Sequence, residues 1–218
     1  MSVFKNSPPI ITNGLVVNFD AGNTRSYGDR TGTVWNDMSG NGYSASLVNG
    51  PTFSMEGGGS LTLDGTNDYI FTNYSQPIYS ATSSFTWNVW TNPRSTAAAP
   101  AIAILGSRGA DLDFVKLTKS NFQYYPDTIA YTLSSNIWQN ICVIKNQNAF
   151  TCYVNGVLVG SMNSYVVKPS VKAFYIGGDP VEALGACSVS MAQVYNRALT
   201  YEEMLKNFNS QKLRYNIR

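Results

Sequence analysis

The sequence predicts an all-β protein, two antiparallel sheets packed as a jelly-roll sandwich with one short C-terminal helix. Three observations carry that prediction. Tyr and Phe number 14 and 10 in a chain of 218 residues rich in Ser, Thr, Asn and Gly, a mix that favours strands joined by frequent turns. Short apolar runs recur with turn residues between them at intervals of about 8–12 residues, the spacing of a sandwich. Only the C-terminal end changes period. Thr200 and Glu203 form a capping-box pair there, and Met204, Leu205 and Phe208 follow at helical spacing. A helix that short is marginal alone in water, so it must close over the sheets.

Taken in order, residues 1–13 carry Pro8-Pro9 and no periodicity, and are expected to form an extended arm before a jelly roll over 14–209. Leu15–Asp20 is the first strand. The connection from Ser26 to Phe53 is read as one turn-rich loop, its Gly, Asn and Asp residues tolerating left-handed backbone, with Trp35 plugging the core edge. Ser60–Leu63 and Tyr69–Phe71 flank the Asp64–Asp68 turn. Ser84–Trp90 alternates, with Phe85, Trp87 and Val89 on one face and Thr86, Asn88 and Trp90 on the other, as a half-buried strand should. Ala97–Pro100 is a loop of small residues. Ile102–Gly106, Phe114–Leu117, Phe122–Tyr125 and Ile129–Leu133 are further strands. Trp138–Lys145 and Ala149–Val154 make a hairpin whose loop, set at Asn146–Asn148, places Cys142 opposite Cys152 and Ile144 opposite Phe150 on one apolar face. Asn155-Gly156 suits a two-residue type I′ turn into Val157–Ser161. Ala173–Ile176 and Cys187–Tyr195 complete the strands, and residues 210–218 form a basic extension pointing away from the domain.

Composition excludes several function classes. The chain has no histidine, which removes Ser-His-Asp and Cys-His catalysis and imidazole-ligated zinc. A net charge of +2 with scattered Lys and Arg gives no footprint for nucleic acid. No apolar run approaches the roughly 20 residues of a membrane span. The first residues lack the apolar core of a signal peptide, so synthesis in a cytosol is expected. The 3 cysteines have no CxxC spacing, so a disulfide framework is not expected and buried thiols are.

The segments GLVVNFDAGN, WNDMSGNGYSASLVNGPTF, SLTLDGTNDYI, SFTWNVWTNP, the NIWQNICVIKNQNAFTCYVNGVLVGS hairpin, FYIGGD and MAQVYNRALTYEEMLKNF follow one another over nearly the whole chain. In that order they resemble the laminin-G-like branch of the concanavalin A-like lectin/glucanase superfamily. The opening and closing segments are also similar to modules of tailed-bacteriophage virion proteins. The resemblance implies two face-to-face antiparallel sheets with a short helix after the last strand.

It also raises three chemistries. Glucanase relatives hydrolyse glycosides with carboxylates on one strand face, and such chemistry needs two, about 5–5.5 Å apart for retention. The nearest approach is Asp111-Leu112-Asp113, with no glutamate, and it is read as a solvated turn; no enzyme activity is expected. Relatives bind calcium through loop oxygens, for which Asp20, Asp37, Asn41, Asp64, Asn67 and Asp68 are the candidates; the same residue types serve ordinary turn chemistry. A sugar would stack on loop aromatics, and Trp35, Tyr43, Tyr74, Tyr124 and Tyr125 are the candidates, beside Tyr27 and Tyr79; packing is the competing role for each. The Gly57-Gly58-Gly59 run has no following lysine and helix, so it is not a phosphate cradle.

The function expected is a non-catalytic virion structural protein, a capsid decoration or a tail or fibre component present in several copies and contributing to host-surface adhesion. Its partners would be capsid or tail proteins and a cell-surface glycan. The alternative is a carbohydrate- or receptor-binding lectin-like module, and the third reading a glycoside hydrolase.

Overall fold

The computed structural model describes residues 9–75, 82–94, 103–108, 114–168, 173–179 and 183–218. Strands are numbered along the chain. One antiparallel sheet contains β1 (Leu15–Asp20), β4 (Thr52–Ser54), β5 (Ser60–Leu63), β7 (Phe85–Pro93), β12 (Gln139–Asn146), β13 (Ala149–Val154), β14 (Val157–Asn163) and β18 (Cys187–Tyr195). The other contains β2 (Val34–Asn36), β3 (Ser44–Val48), β6 (Tyr69–Ser75), β8 (Ala103–Arg108), β9 (Phe114–Thr118), β10 (Asn121–Tyr124), β11 (Asp127–Ala130) and β15 (Ala173–Ile176). Two short strands, β16 (Gly178–Asp179) and β17 (Ala183–Leu184), pair beside them, and the helix α1 spans Tyr201–Gln211. The sheets pack face to face as a jelly-roll sandwich. Trp87 sits at the centre of the core, edge-on to Phe174 at 5.0 Å and to Phe122 at 6.3 Å. Strands β2 to β4 lie inside the segment expected to be one long loop. They are only three to five residues long, and β3 finds its partner in β6, so their apolar alternation is too brief to stand out from the turns.

The β12–β13 hairpin differs from expectation by one residue. Its loop is the two-residue turn Gln147-Asn148, with Gln147 at φ 53°, so Asn146 pairs with Ala149 and every later pair shifts. Cys142 faces Tyr153, Val143 faces Cys152, and Ile144 faces Thr151. Slipping a strand by one residue reverses its faces. Cys152 therefore points into the core and Cys142 to the opposite face, and no disulfide is possible between them. Burial pushes the Cys152 and Cys187 thiols up to about 12. The same register turns Lys145 inward. Its ammonium donates to the carbonyls of Ser83 (2.7 Å) and Gln147 and lies 5.4 Å over the Phe150 ring, while burial lowers it to about 8.

Strand β7 is buried on both faces rather than half-buried, because α1 covers the outer side of its sheet. Under the helix runs a chain of amides. Asn140 Nδ2 donates to Asn88 Oδ1 (3.0 Å), Asn88 Nδ2 to Gln193 Oε1 (2.8 Å), and Gln193 Nε2 to Asn18 Oδ1 (3.1 Å). Gln211 of α1 accepts from Trp90 Nε1 at 2.6 Å and donates to Gln193. Trp90 stacks on Tyr215 at 3.9 Å and on Phe208 at 5.8 Å. The capping box forms as expected: Glu203 N donates to Thr200 Oγ1, and Thr200 N donates to Glu203 Oε2. Arg197 grips the same carboxylate through two nitrogens, each at 2.7 Å.

Both ends of the described chain dock on this lid. Ile11 N donates to Asn207 Oδ1 and Ile11 O accepts from the Tyr195 hydroxyl. The basic C-terminal segment does not point outward. A 3-10 turn over Lys212–Tyr215 folds it back, and Arg214 donates to the carbonyls of Gly57, Gly58 and Gly59, to Ser190 Oγ and to Asp20 Oδ1 at 2.8 Å. The glycine run is the bed for that side chain. Gly57 has φ 59°, and a Cβ there would meet Trp138 at 2.7 Å. The segment folds back because the Tyr215 ring stacks on Trp90 at 3.9 Å while Arg214 pairs with Asp20.

Two outcomes follow. Arg214→Met takes the cation from Asp20, which keeps the Gly22 N–H, and one donor from each of the Gly57, Gly58 and Gly59 carbonyls; it is expected to cost about 1–3 kcal/mol, read as a lower urea midpoint at unchanged m. Glu203 is held near 2 in the fold, chiefly by the Arg197 hydrogen bonds, against 4.5 for the free group. Its contribution is therefore complete above pH 4.5 and lost as pH falls towards 2. Glu203→Gln should remove about 1–3 kcal/mol at neutral pH and flatten the stability profile across that acid window.

Candidate functional site

With one sheet lidded by α1, the outer face of the other sheet is the large strand surface left without a covering helix among the described residues. Residues opposite one another in neighbouring strands share a face. The register links Val34 to Ser46, Ser46 to Phe71, Phe71 to Tyr175 and Tyr175 to Gly106. It continues from Gly106 to Lys116, Gln123 and Thr128. One unbroken row thus crosses all eight strands of this sheet. Its sequence neighbours Trp35, Leu47, Ile70, Phe174, Leu105, Leu117 and Phe122 are buried in the core, so the row itself faces outward.

The row has a chemical gradient. At its centre Phe71, 39% exposed, and Tyr175 have ring centroids 5.4 Å apart, and Tyr69 lies 6.1 Å from Tyr175. Next to Tyr175, Gly106 supplies no side chain and leaves a notch; a Cβ there would press on Lys116 and the Val115 carbonyl at 3.0 and 3.1 Å. Beyond the notch the Lys116 ammonium lies 4.4 Å over the Phe114 ring. Gln123 follows, and its buried Oε1 has no hydrogen-bond donor among the described residues. An apolar ring platform beside a notch and an ammonium suits a ligand with one apolar face and polar groups around it. The row contains no carboxylate, so it holds no pair for general acid–base work.

The sequence-predicted residues lie mostly elsewhere. Trp35, Tyr74 and Tyr124 are buried: Trp35 packs on Phe19 at 5.1 Å, Tyr124 on Phe150 at 4.6 Å, and burial raises the Tyr74 phenol well above its usual range. Their expected role as stacking platforms is corrected, because their strands turn them into the core. Tyr43 packs edge-on against Tyr74. Tyr125 reaches the rim of the open face, its ring 4.9 Å from Phe114. Tyr79, Asp111 and Asp113 lie outside the described residues.

The calcium candidates do not form one cage. Asp20 is taken by Arg214. Asp37 accepts from the backbone N–H groups of Asn18 and Ser39, and Asn41 donates to the Leu15 and Val16 carbonyls, so the two cap the free edge of β1. Asp64 Oδ1 accepts from the N–H groups of Thr66, Asn67 and Asp68, the first of which is the main cause that lowers its pKa, and Asp68 accepts from Asp64 N. Asn67 contributes its carbonyl to Asn49. These groups sit in three separate places, several of their carboxylate oxygens already accept from backbone N–H groups or Arg214, and among the described residues no three His, Cys, Asp or Glu converge. The six candidates thus do not converge on one shared site for a cation needing six to eight oxygens.

The residues that sequence reasoning missed are Phe71, Tyr175, Gly106, Lys116 and Gln123. Strand alternation marks each as facing away from its neighbours, but which face of which sheet stays open is set by where α1 lands.

Fold and open face together define a lectin-like jelly-roll domain. A family model described as the concanavalin A-like lectin/glucanases superfamily matches residues 64–204, and the chain belongs to that superfamily. No curated protein sequence matches it. Among solved structures, Trypanosoma rangeli sialidase in complex with sialic acid aligns with TM-score 0.69 and 18% identity over 94% of this chain and 34% of the sialidase. The botulinum neurotoxin serotype D ligand binding domain in complex with N-acetylneuraminic acid aligns with TM-score 0.70 and 14% identity over 93% of this chain and 52% of that one. The binding domain of Paraclostridial Mosquitocidal Protein 1 aligns with TM-score 0.65 and 18% identity, over 90% and 52%. The chain thus spans about a third of the sialidase and about half of the toxin domains. At such identities the likeness is one of fold.

Proposed function

We propose that this domain is a non-catalytic carbohydrate-recognition module that binds a glycan on the open sheet face, with Phe71 and Tyr175 as its stacking platform. The observation that carries this reading is the transverse row, which sets the paired rings of Phe71 and Tyr175 beside Gly106 and the Lys116 side chain. The family adds support, as do the similar structures of a sialidase in complex with sialic acid and a neurotoxin ligand binding domain in complex with N-acetylneuraminic acid. Lys116, Gln123, Ser46 and Thr128 are the polar groups along the row that would fix the orientation of sugar hydroxyls. The absence of histidine from the chain and of carboxylates from the row favours binding without turnover.

A glycan array that includes sialylated and neutral sugars tests this directly. Binding is expected for the wild-type chain, and Phe71→Ala and Tyr175→Ala should each weaken it by about 1–2 kcal/mol, roughly tenfold in Kd. An array with no bound glycan rejects the proposal, and so does full binding by both variants. Display on a virion, where such a module would serve adhesion, is a separate proposal resting on the order of the sequence segments. Mass spectrometry of purified particles is expected to find the chain, and its absence from them would remove that setting.

A further inference from the structure

The notch at Gly106 is the floor of a recess between β8, β9 and β15. Gly106 has Tyr175 beside it on one strand and Lys116 on the other. Phe114, two residues before Lys116, lies on the same face, and so does Ala103, paired with Thr118 two residues after it. These five residues and Gly178 bound the recess. Its depth comes from missing side chains, since two of the six are glycines and one is alanine. The Lys116 ammonium lies over the Phe114 ring, and the Lys116 Cβ is the atom nearest to where a Gly106 side chain would begin.

Size and polarity narrow what can enter. The space measures about 270 Å³ with its open mouth, but the centre of a water-sized sphere can range over only about 10 Å³ of it. That is room for one small group. The exposed lining is chiefly carbon. A hydroxyl pushed inside would give up its bonds to water with little to replace them. A methyl group gives up nothing there, and gains burial and dispersion contact. Tyr175 belongs both to the ring platform with Phe71 and to the wall of the recess. A sugar ring is too wide to enter, yet one lying on that platform can send a substituent in from its edge.

We infer that the recess seats a methyl group carried by the bound sugar, so that the module selects N-acetylated or 6-deoxy sugars over the same sugars without the methyl. The inference rests on the carbohydrate reading above and adds a division of labour to it: Phe71 and Tyr175 hold the ring, and Gly106 sets which ring is preferred. An N-acetyl group and a 6-deoxy carbon offer the same methyl at different distances from the ring, so matched pairs tell the two sources apart.

Titration of the wild-type chain with N-acetylglucosamine against glucose, and with L-fucose against L-galactose, tests the selection. The methyl-bearing sugar of at least one pair should bind about four- to tenfold tighter, and the pair that shows it identifies the source. In that complex, saturation-transfer NMR should mark the methyl protons more strongly than the ring protons. Gly106→Ala places a methyl of the protein in the recess, at a backbone conformation open to alanine. It should bring the two sugars of the pair to the same Kd, keep the binding of the plain sugar, and leave the circular dichroism unchanged. Should that variant fail to fold, the NMR pattern of the wild type decides. Equal affinity within both pairs overturns this inference and leaves the carbohydrate reading standing, as does a preference that survives in folded Gly106→Ala. Saturation confined to ring protons overturns it too. No binding of any of these sugars also overturns it, and with an empty glycan array the carbohydrate reading falls as well.

Discussion

The amide chain from Asn140 through Asn88 and Gln193 to Asn18 lies on the outer face of a strand sheet, where water would ordinarily satisfy it. Here a helix covers it, and each buried amide must find its partner within the protein or cost about 1–3 kcal/mol. Gln211 meets that demand from the helix side, bonding both Trp90 and Gln193. The position of α1 is thereby tied to one register of β7, β12 and β18, because a one-residue slip would carry the amides into the core. Apolar packing of Trp90 against Phe208 and Tyr215 supplies much of the burial, and the amides specify where it happens.

From that constraint the remaining asymmetry follows. The lid occupies one outer face, so among the described residues the other outer face is the one no helix covers. Arg214, at the end of the lid, reaches the Gly57–Gly59 turn and Asp20, locking the C-terminus to the far side of the same sheet. Residues that sequence logic assigns to metal binding are employed instead in closing the ends and edges of strands. Asp37 and Asn41 guard β1, and Asp64 organises its own turn. A loop carboxylate in a turn-rich sandwich has backbone N–H groups within reach before any cation arrives.

Much of the strand order was legible because it rests on local chemistry. Ala149–Val154, Ala173–Ile176 and Cys187–Tyr195 lie where alternation and flanking turns place them, and Asn155-Gly156 forms its tight turn with both residues at positive φ. The hairpin at Gln147 was misjudged by one residue, since nothing in the sequence says whether its loop holds two residues or three. That single residue moved Cys142 away from Cys152 and put Lys145 into the core. Strands β2 to β4 were hidden by their brevity, and the aromatic candidates by a general difficulty: a Tyr or Trp near a turn looks alike whether its ring packs inward or faces water.

By itself, then, the sequence determined the all-β class, the capped closing helix, the lectin-like family and the absence of histidine chemistry. Each of these depends on residue identity or on spacing within one segment. Only the tertiary structure decided which sheet the helix covers, which aromatic rings remain outside, and that Phe71, Tyr175, Gly106, Lys116 and Gln123 form one row. Those facts depend on cross-strand register between segments as much as about a hundred residues apart, and register is set by the packing of the whole sandwich.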